Sequence, residues 1–311
     1  MSVFVRVPAK VNLALCVGST DAGGYHELGT VFQALSLYDE LVAEPAPPGT
    51  FTVTVRGEGA AFVPTDDGNL AVRAARLLAD HLGVRGAGAA LQVRKRIPVA
   101  GGMAGGSADA AAALVACNEV WGAGATREDL LALGSGLGAD VPFMLVGGTA
   151  IGRGRGDVVE VLPARGVYHW TLALSHVGLS TPAVFREFDR LAQGHSTNVP
   201  PALIDALRAG DVRAVGAHLV NHLQDPALRL LPALARTLDI GLAAGALGGI
   251  VSGSGPTVAF LSESAEAAAL VAAALEISSG VRAVRQAQGP VTGAIAGVTG
   301  AAEAGGAHGR D

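Results

Sequence analysis

The chain has 311 residues, half of them hydrophobic and 16% charged, with a formal net charge of −5. That length holds one large domain or two ordinary ones with ample core. The acidic balance, with no basic tract and no aromatic–basic interleaving, argues against a nucleic-acid partner.

Cys16 and Cys117 form neither a disulfide framework nor a metal-binding spacing, and both are expected in the core. A mean hydropathy of +0.42 raises the question of a membrane. The long charge-free window, residues 240–262, is broken by glycines, Ser252, Ser254, Pro256 and Thr257. It reads as helix end, strand, turn and strand rather than as a spanning helix. The first ten residues, MSVFVRVPAK, contain no apolar core of a signal peptide, so a soluble cytoplasmic protein is expected.

In chain order, Val3–Val7 alternates like a strand, and a second apolar run, Val11–Val17, follows Pro8-Ala9-Lys10. Lys10 and Asn12 share one strand face. A lone lysine there is usually solvated, but burying the ammonium among apolar residues demands a partner, so a functional role is the alternative. Asp21-Ala22-Gly23-Gly24-Tyr25-His26-Glu27 reads as a turn carrying two rings. Tyr25 suits stacking on a flat ligand and His26 suits hydrogen bonding to it, while the plainer reading is a packed surface turn. Segments 30–38, 39–42 and 51–55 are strand-like, which makes the first third β-rich. Asp67-Gly68-Asn69 opens a helix that places Leu70, Ala74, Leu77, Leu78 and Leu82 on one face and stops at Gly83.

The central feature is Pro98–Asp109, PVAGGMAGGSAD. It links a β-like segment, Ala90–Ile97, to an alanine-rich helix over Ala108–Trp121 with Ser107 placed to cap it. Strand, glycine loop and helix N-terminus form an anion cradle: small residues admit the phosphate, free N–H groups face it and the helix dipole favours it. Neither GxxxxGK[ST] nor GxGxxG fits, because the glycines come as the pairs Gly101-Gly102 and Gly105-Gly106 and no lysine follows. The competing reading is a flexible turn in a chain with 44 glycines, against which the strand-to-helix position speaks.

Thr126-Arg127-Glu128-Asp129 resembles a capping box for a short helix through Leu133. Asp140, within an otherwise apolar turn, is either a helix cap or a functional carboxylate. Segment 147–156 carries Arg153 and Arg155 at strand ends and a turn. After a composition change near 162–166, Val167–Ser175 is strand-like. Thr181-Pro182 then starts a helix containing Phe185 and Phe188, with Thr181 as cap. Two or three helices fill 212–244. A ββαβ block follows: strands 246–252, 257–261 and 281–286, with a helix over 265–276. An α+β class is expected, and residues 290–311 show no periodicity and are expected to lack structure.

Three features in this order, the early strand with Lys10, the mid-chain glycine loop and the late Gly253-Ser254-Gly255-Pro256 turn, resemble the GHMP kinases. Four stretches carry the finer likeness: residues 8–13, PAKVNL; 21–28, DAGGYHEL; 97–109; and 137–142, LGADVP. They point to the branch that phosphorylates a cytidine-diphosphate-linked methylerythritol in the non-mevalonate route to isoprenoid precursors.

The resemblance implies an α+β domain like one from a small-ribosomal-subunit protein over 1–164, then a ferredoxin-like α+β sandwich over 165–289, with the active site between them. It implies ATP and Mg2+ as cofactors, a small-molecule substrate and no membrane. By the same likeness Asp140 is the general base and Lys10 its charge partner. Pro98, Val99, Ala100, Gly101, Gly102, Met103, Ala104, Gly105, Gly106, Ser107 and Ala108 form the nucleotide loop, and Asn69 lies in the adenine pocket. Asn12, Tyr25, His26 and Phe185 hold the substrate. Many relatives have GLGGGSSDA, so Ala104 stands for a glycine and Ala108 for a serine, which removes one hydroxyl from the metal side. A relative acting on homoserine, mevalonate or a sugar would share the loop but give no reason for the GYHEL stretch. An inactive nucleotide-binding protein would not need both Lys10 and Asp140.

Overall fold

A computed structural model describes residues 1–21, 23–191 and 196–297. The chain begins with two long antiparallel strands, β1 (Val3–Thr20) and β2 (His26–Pro45), followed by β3 (Phe51–Gly57), α1 (Leu70–Leu82) and β4 (Ala89–Lys95). Next come α2 (Gly105–Trp121), α3 (Arg127–Leu137), α4 (Val141–Val146), β5 (Thr149–Arg153), β6 (Val158–Val161), β7 (Tyr168–Ser175) and α5 (Thr181–Arg190). The rest runs α6 (Pro201–Ala209), α7 (Val212–Ala217), β8 (Val220–Asn221), α8 (Gln224–Leu230), α9 (Ala233–Ala243), β9 (Gly248–Val251), β10 (Val258–Ser262), α10 (Ala265–Glu276), β11 (Val281–Gly289) and β12 (Ile295–Gly297).

Two sheets result, in the α+β arrangement expected. One has the order β12-β1-β2-β4-β3, with β5 and then β6 branching from the first half of β2 and β8 lying beside β1. The other has the order β11-β7-β10-β9. They meet where Trp170 of β7 donates its indole N–H to Gln33 Oε1 of β2 at 2.9 Å. The charge-free window 240–262 is helix end, strand, turn and strand, and among the described residues no helix is long and apolar enough to cross a membrane.

Local chemistry explains the helix ends. Asn69 caps α1 by accepting from Ala71 N, and Gly83 closes it in the left-handed region with φ 58°. Thr126 and Asp129 form the reciprocal capping box of α3, which extends to Leu137 rather than Leu133. Helix α2 differs from expectation. It starts at Gly105, its N-cap is Ala104 with φ 60°, and Ser107 lies in the first turn without capping it. A Cβ at Gly105 would stand 3.2 Å from both Ile97 and the Lys95 ammonium, so a glycine there leaves the helix start and the end of β4 closely packed without pressing on either side chain. Thr181 likewise is the first residue of α5, with Ser180 before it, and its hydroxyl pairs with Ser254 Oγ at 2.8 Å instead of capping.

Helix α2 is apolar nearly all round and buried between α1, α4 and strands β1 and β2. Its alanines permit that close approach. One ionic cluster interrupts this apolar packing. Lys95, at the end of β4, donates to Asp39 Oδ2 of β2, to Asp109 Oδ2 of α2 at 2.6 Å and to the Gly105 carbonyl at 3.1 Å. The other Asp39 oxygen accepts the N–H groups of Arg96 and Ile97. Burial opposes the charge on Lys95, but the two carboxylates hold its pKa above the ordinary value. Burial pushes the Asp109 carboxyl up to about 7 against the pull of Lys95, and the Asp39 charge adds to the rise.

The segment expected to lack structure from residue 290 onward is ordered in its first part. Thr292 bridges to Gly147, Ala294 N donates to the Met144 carbonyl at 2.8 Å, and β12 pairs with Phe4–Arg6. These are backbone contacts, which need no hydrophobic period. Residues 298–311, the rest of that segment, lie outside the described residues, as does Ala22 of the early turn.

Lys95→Met should leave two carboxylates buried without a cation and cost about 3–5 kcal/mol of stability, read by urea unfolding. The raised Asp109 carboxyl holds a proton in the folded state that the unfolded chain releases, so its contribution to stability is lost as pH rises from about 4 to about 7. The stability difference between the native protein and Asp109→Asn should therefore shift against the native protein over that interval. A pH-independent difference would refute the assignment.

Candidate active site

Lys10 and Asn12 sit on β1 between two register shifts in its pairing with β2, at Pro8/Ala9 and at Asn12/Ala14. Such bulges re-aim side chains out of regular alternation. Both residues are buried and both line one cavity of about 930 Å³. Lys10 Nζ donates to Asn12 Oδ1 at 2.6 Å and to the Gly102 carbonyl at 3.0 Å. Asn12 Nδ2 donates to Thr30 Oγ1 at 2.9 Å, and that hydroxyl donates to the Ala14 carbonyl at 2.6 Å. Asn12, expected on the substrate side, is thus hydrogen-bonded to Lys10 and Thr30. Burial lowers the Lys10 pKa, and the Asp140 charge opposes the drop.

Asp140 precedes α4, and its side chain makes no capping bond. Of its two sequence readings, the cap is therefore excluded, and the residue lines the same cavity as Lys10. Among the described residues no direct ion pair joins the two; they act on each other across the cavity.

The glycine loop and Asn69 both line this cavity. The N–H groups of Gly105, Gly106 and Ser107 precede the first intrahelical bond of α2, from Ala108 N to the Ala104 carbonyl, and so remain available to an anion. Gly102 has φ 74°, and a Cβ there would lie 2.1 Å from the Ser252 carbonyl. Its own carbonyl accepts from Lys10 and from Ser252 Oγ at 3.1 Å. The late Gly253-Ser254 turn thereby closes on the loop. Gly253 comes so near that a Cβ would sit 3.2 Å from the Lys10 ammonium. Asn221 braces this turn by donating to the Val251 and Gly253 carbonyls at 2.8 Å each.

Of the predicted loop residues, Pro98, Val99, Ala100, Gly101, Gly102, Ala104, Gly105 and Gly106 line the cavity. Met103 and Ala108 are fully buried in the core, and Ser107 stays off the cavity wall. Asn69 lines it too, but its amide is engaged with Ala71 N and the Pro64 carbonyl.

At the other end, Asp21 Oδ1 accepts from Gly23 N and Tyr25 N, a side-chain turn that leaves Tyr25 60% exposed. His26 is packed and held by neighbouring residues. Nδ1 lies 2.8 Å from the Gly18 carbonyl, Nε2 lies 3.1 Å from Asp189 Oδ1, and the ring stacks on Phe185 at 5.3 Å. Its nitrogens are engaged with the protein, and Phe185, stacked against it, lines the same cavity as Tyr25. Lys95, Asp109, Arg155 and Ser254 also line the cavity and were not assigned to it from sequence. For Lys95 and Asp109 a signal existed, a charge inside an apolar strand and helix, but their partners are distant in sequence.

Residues 69–148 match the model of the GHMP kinases N terminal domain, and residues 203–280 that of the GHMP kinases C terminal domain. A protein of Streptomyces coelicolor named 4-diphosphocytidyl-2-C-methyl-D-erythritol kinase is 53% identical over 94% of this chain and 99% of its own length. One of that name from Nocardia farcinica is 55% identical over 94% and 95%. A crystal structure of 4-(cytidine 5′-diphospho)-2C-methyl-D-erythritol kinase superposes with a TM-score of 0.74 at 34% identity, covering 91% of this chain and 98% of that one. A homoserine kinase of Cytophaga hutchinsonii has a TM-score of 0.75 but 21% identity, covering 95% and 97%, so it shares the fold alone.

Gly102→Ala has no room for its methyl group and should displace the loop. The expected result is a loss of ATP affinity of roughly tenfold or more, about 1.4 kcal/mol, with an unchanged far-UV spectrum. Native-like ATP binding by this variant would remove the loop from the nucleotide site.

Proposed function

We propose a residue-level mechanism from one premise: the chain belongs to the 4-diphosphocytidyl-2-C-methyl-D-erythritol kinases, a branch of the GHMP kinases. It transfers the γ-phosphoryl group of ATP to the 2-hydroxyl of 4-diphosphocytidyl-2-C-methyl-D-erythritol, releasing ADP. The observation that carries the assignment of roles is that Lys10, Asp140, the loop glycines and Tyr25 all border one cavity.

The acceptor is a tertiary alcohol whose pKa lies far above neutrality, so a positioned base helps most late in the transfer. Asp140 takes the hydroxyl proton as the oxygen bonds to the γ-phosphorus and the bond to the bridging oxygen of ADP breaks. Lys10 faces the same point and stabilises the developing alkoxide. Asn12 and the Gly102 carbonyl hold the Lys10 ammonium in place, which limits reorganisation during the reaction. The N–H groups of Gly105 and Gly106 cradle phosphate oxygens.

Among the described residues no group of three or more His, Cys, Asp or Glu side chains is arranged to hold a metal ion. A Mg2+ would be carried on the triphosphate, keeping phosphate and water oxygens, because the Ser107 hydroxyl lies off the cavity wall. Bound there, Mg2+ would neutralise triphosphate charge. Tyr25 offers its exposed face to the cytosine, while His26 sets the position of Phe185 by stacking on it.

Asp140→Asn should lower kcat by about 100-fold or more while KM for ATP stays within about threefold, followed as ADP release. Near-native turnover by a folded variant would rule out Asp140 as the base. Tyr25→Ala and His26→Ala should mainly raise KM for the cytidylyl substrate, and unchanged values in both would take this segment out of the pocket.

A further inference from the structure

The turn between β5 and β6 carries an arginine for which the mechanism has no use. Arg155 lines the active-site cavity, with its guanidinium carbon 5.8 Å from the Tyr25 ring centroid. One nitrogen is pinned: Nη2 donates to Asp157 Oδ2 at 2.9 Å and to the Ser135 carbonyl at 3.2 Å. Ser135 Oγ in turn donates to the same Asp157 oxygen at 2.6 Å. Burial works against the Asp157 charge, yet the bonds from Ser135 and Arg155 hold its carboxyl below the usual range. Among the described residues, Nη1 and Nε make no hydrogen bond to the protein.

Two further contacts fix where this free edge stands. The carbonyl of Gly154 accepts from Leu28 N at 2.6 Å, which ties the turn to the start of β2, just after Tyr25 and His26. Ser135 belongs to α3, which leads directly into Gly138 and Asp140. Arg155 is therefore braced between the segment that faces the base and the segment that carries the general base. Lys10 and Lys95, by contrast, have their ammonium groups engaged by Asn12 and by the Asp39–Asp109 pair. We propose that Arg155 is a specificity residue whose free guanidinium edge binds the diphosphate bridge of the substrate, between its cytosine and its reacting hydroxyl. The planar fork suits paired phosphate oxygens, and the bond from Asp157 orients it beforehand. The inference rests on the reading that Tyr25 marks the cytosine end.

The test is calorimetric titration of the intact chain with cytidine and with cytidine diphosphate, at saturating non-hydrolysable ATP analogue so that the nucleotide loop is filled. Arg155→Gln should weaken cytidine diphosphate by about 10- to 100-fold, the range for a charged hydrogen bond, and leave cytidine within about twofold. Arg155→Lys should restore part of the loss, since charge returns without the fork. Equal weakening of both ligands would make Arg155 a support for the Tyr25 ring and overturn the proposal. Unchanged cytidine diphosphate binding would also overturn it, as would a loss confined to the ATP analogue. Tyr25→Ala separates the two levels: it should weaken both ligands alike. No effect of Tyr25→Ala on either ligand would sink the cytosine reading and this inference with it. A Tyr25 effect without an Arg155 effect sinks the inference alone.

Discussion

The buried cluster of Lys95, Asp39 and Asp109 is the constraint on which the nucleotide side depends. Three elements, β2, β4 and α2, each contribute one charge, and the fourth contact goes to the carbonyl of the residue that begins α2. Removing any member leaves the others in an apolar interior, where unpaired charge is strongly unfavourable. The cluster therefore fixes the start of α2 against the end of β4. The loop between them, residues 96–104, has its two ends held a set distance apart. An anion cradle made of backbone N–H groups works only when those groups are already aimed, and this ionic knot sets their aim.

The catalytic side is governed by a second point of convergence, the carbonyl of Gly102. It accepts from Lys10 on β1 and from Ser252 beside β9, so the two sheets meet on one atom of the loop. The Cβ-free positions Gly102 and Gly253 allow that approach, because a methyl group at either would press on the Ser252 carbonyl or on the lysine itself. Burial works against the charge on Lys10, and an amide oxygen, a carbonyl and the field of Asp140 oppose that effect. The Asn12–Thr30–Ala14 chain then makes the position of that ammonium a property of the β1–β2 pairing.

What could be read from the sequence was what short-range chemistry decides. Asn69 and Gly83 bound α1, the Thr126–Asp129 box starts α3, and the ββαβ block closes the second sheet, as their local patterns require. The gathering of Lys10, Asn12, Asp140, the loop and the Tyr25–His26 turn around one cavity came from family resemblance, not from any periodicity. Contacts set by long-range packing were not legible. Asp39 lies 56 residues from Lys95 in sequence, and Trp170 lies 137 from Gln33. The partners of His26 were hidden because nothing local announces the Gly18 carbonyl or Asp189. The ordered segment before residue 298 escaped notice because backbone pairing with β1 leaves no mark in composition.

The two alanines that depart from the relatives' loop have different consequences once placed. Ala108 is fully buried within the core that α2 shares with β1 and β2. The side chain at 108 belongs to the core and is absent from the cavity wall, so the expected loss of a hydroxyl from the metal side is not a change in the cavity lining. Ala104 lines the cavity and holds φ 60°, a conformation that costs a residue with a Cβ about 1–2 kcal/mol. It persists because its neighbours fix the chain on both sides: Met103 is buried in the core, and Gly105 is held by Lys95. The loop thus tolerates alanine where the fold dictates the backbone, and requires glycine at 102, where the Ser252 carbonyl already occupies the space a side chain would need.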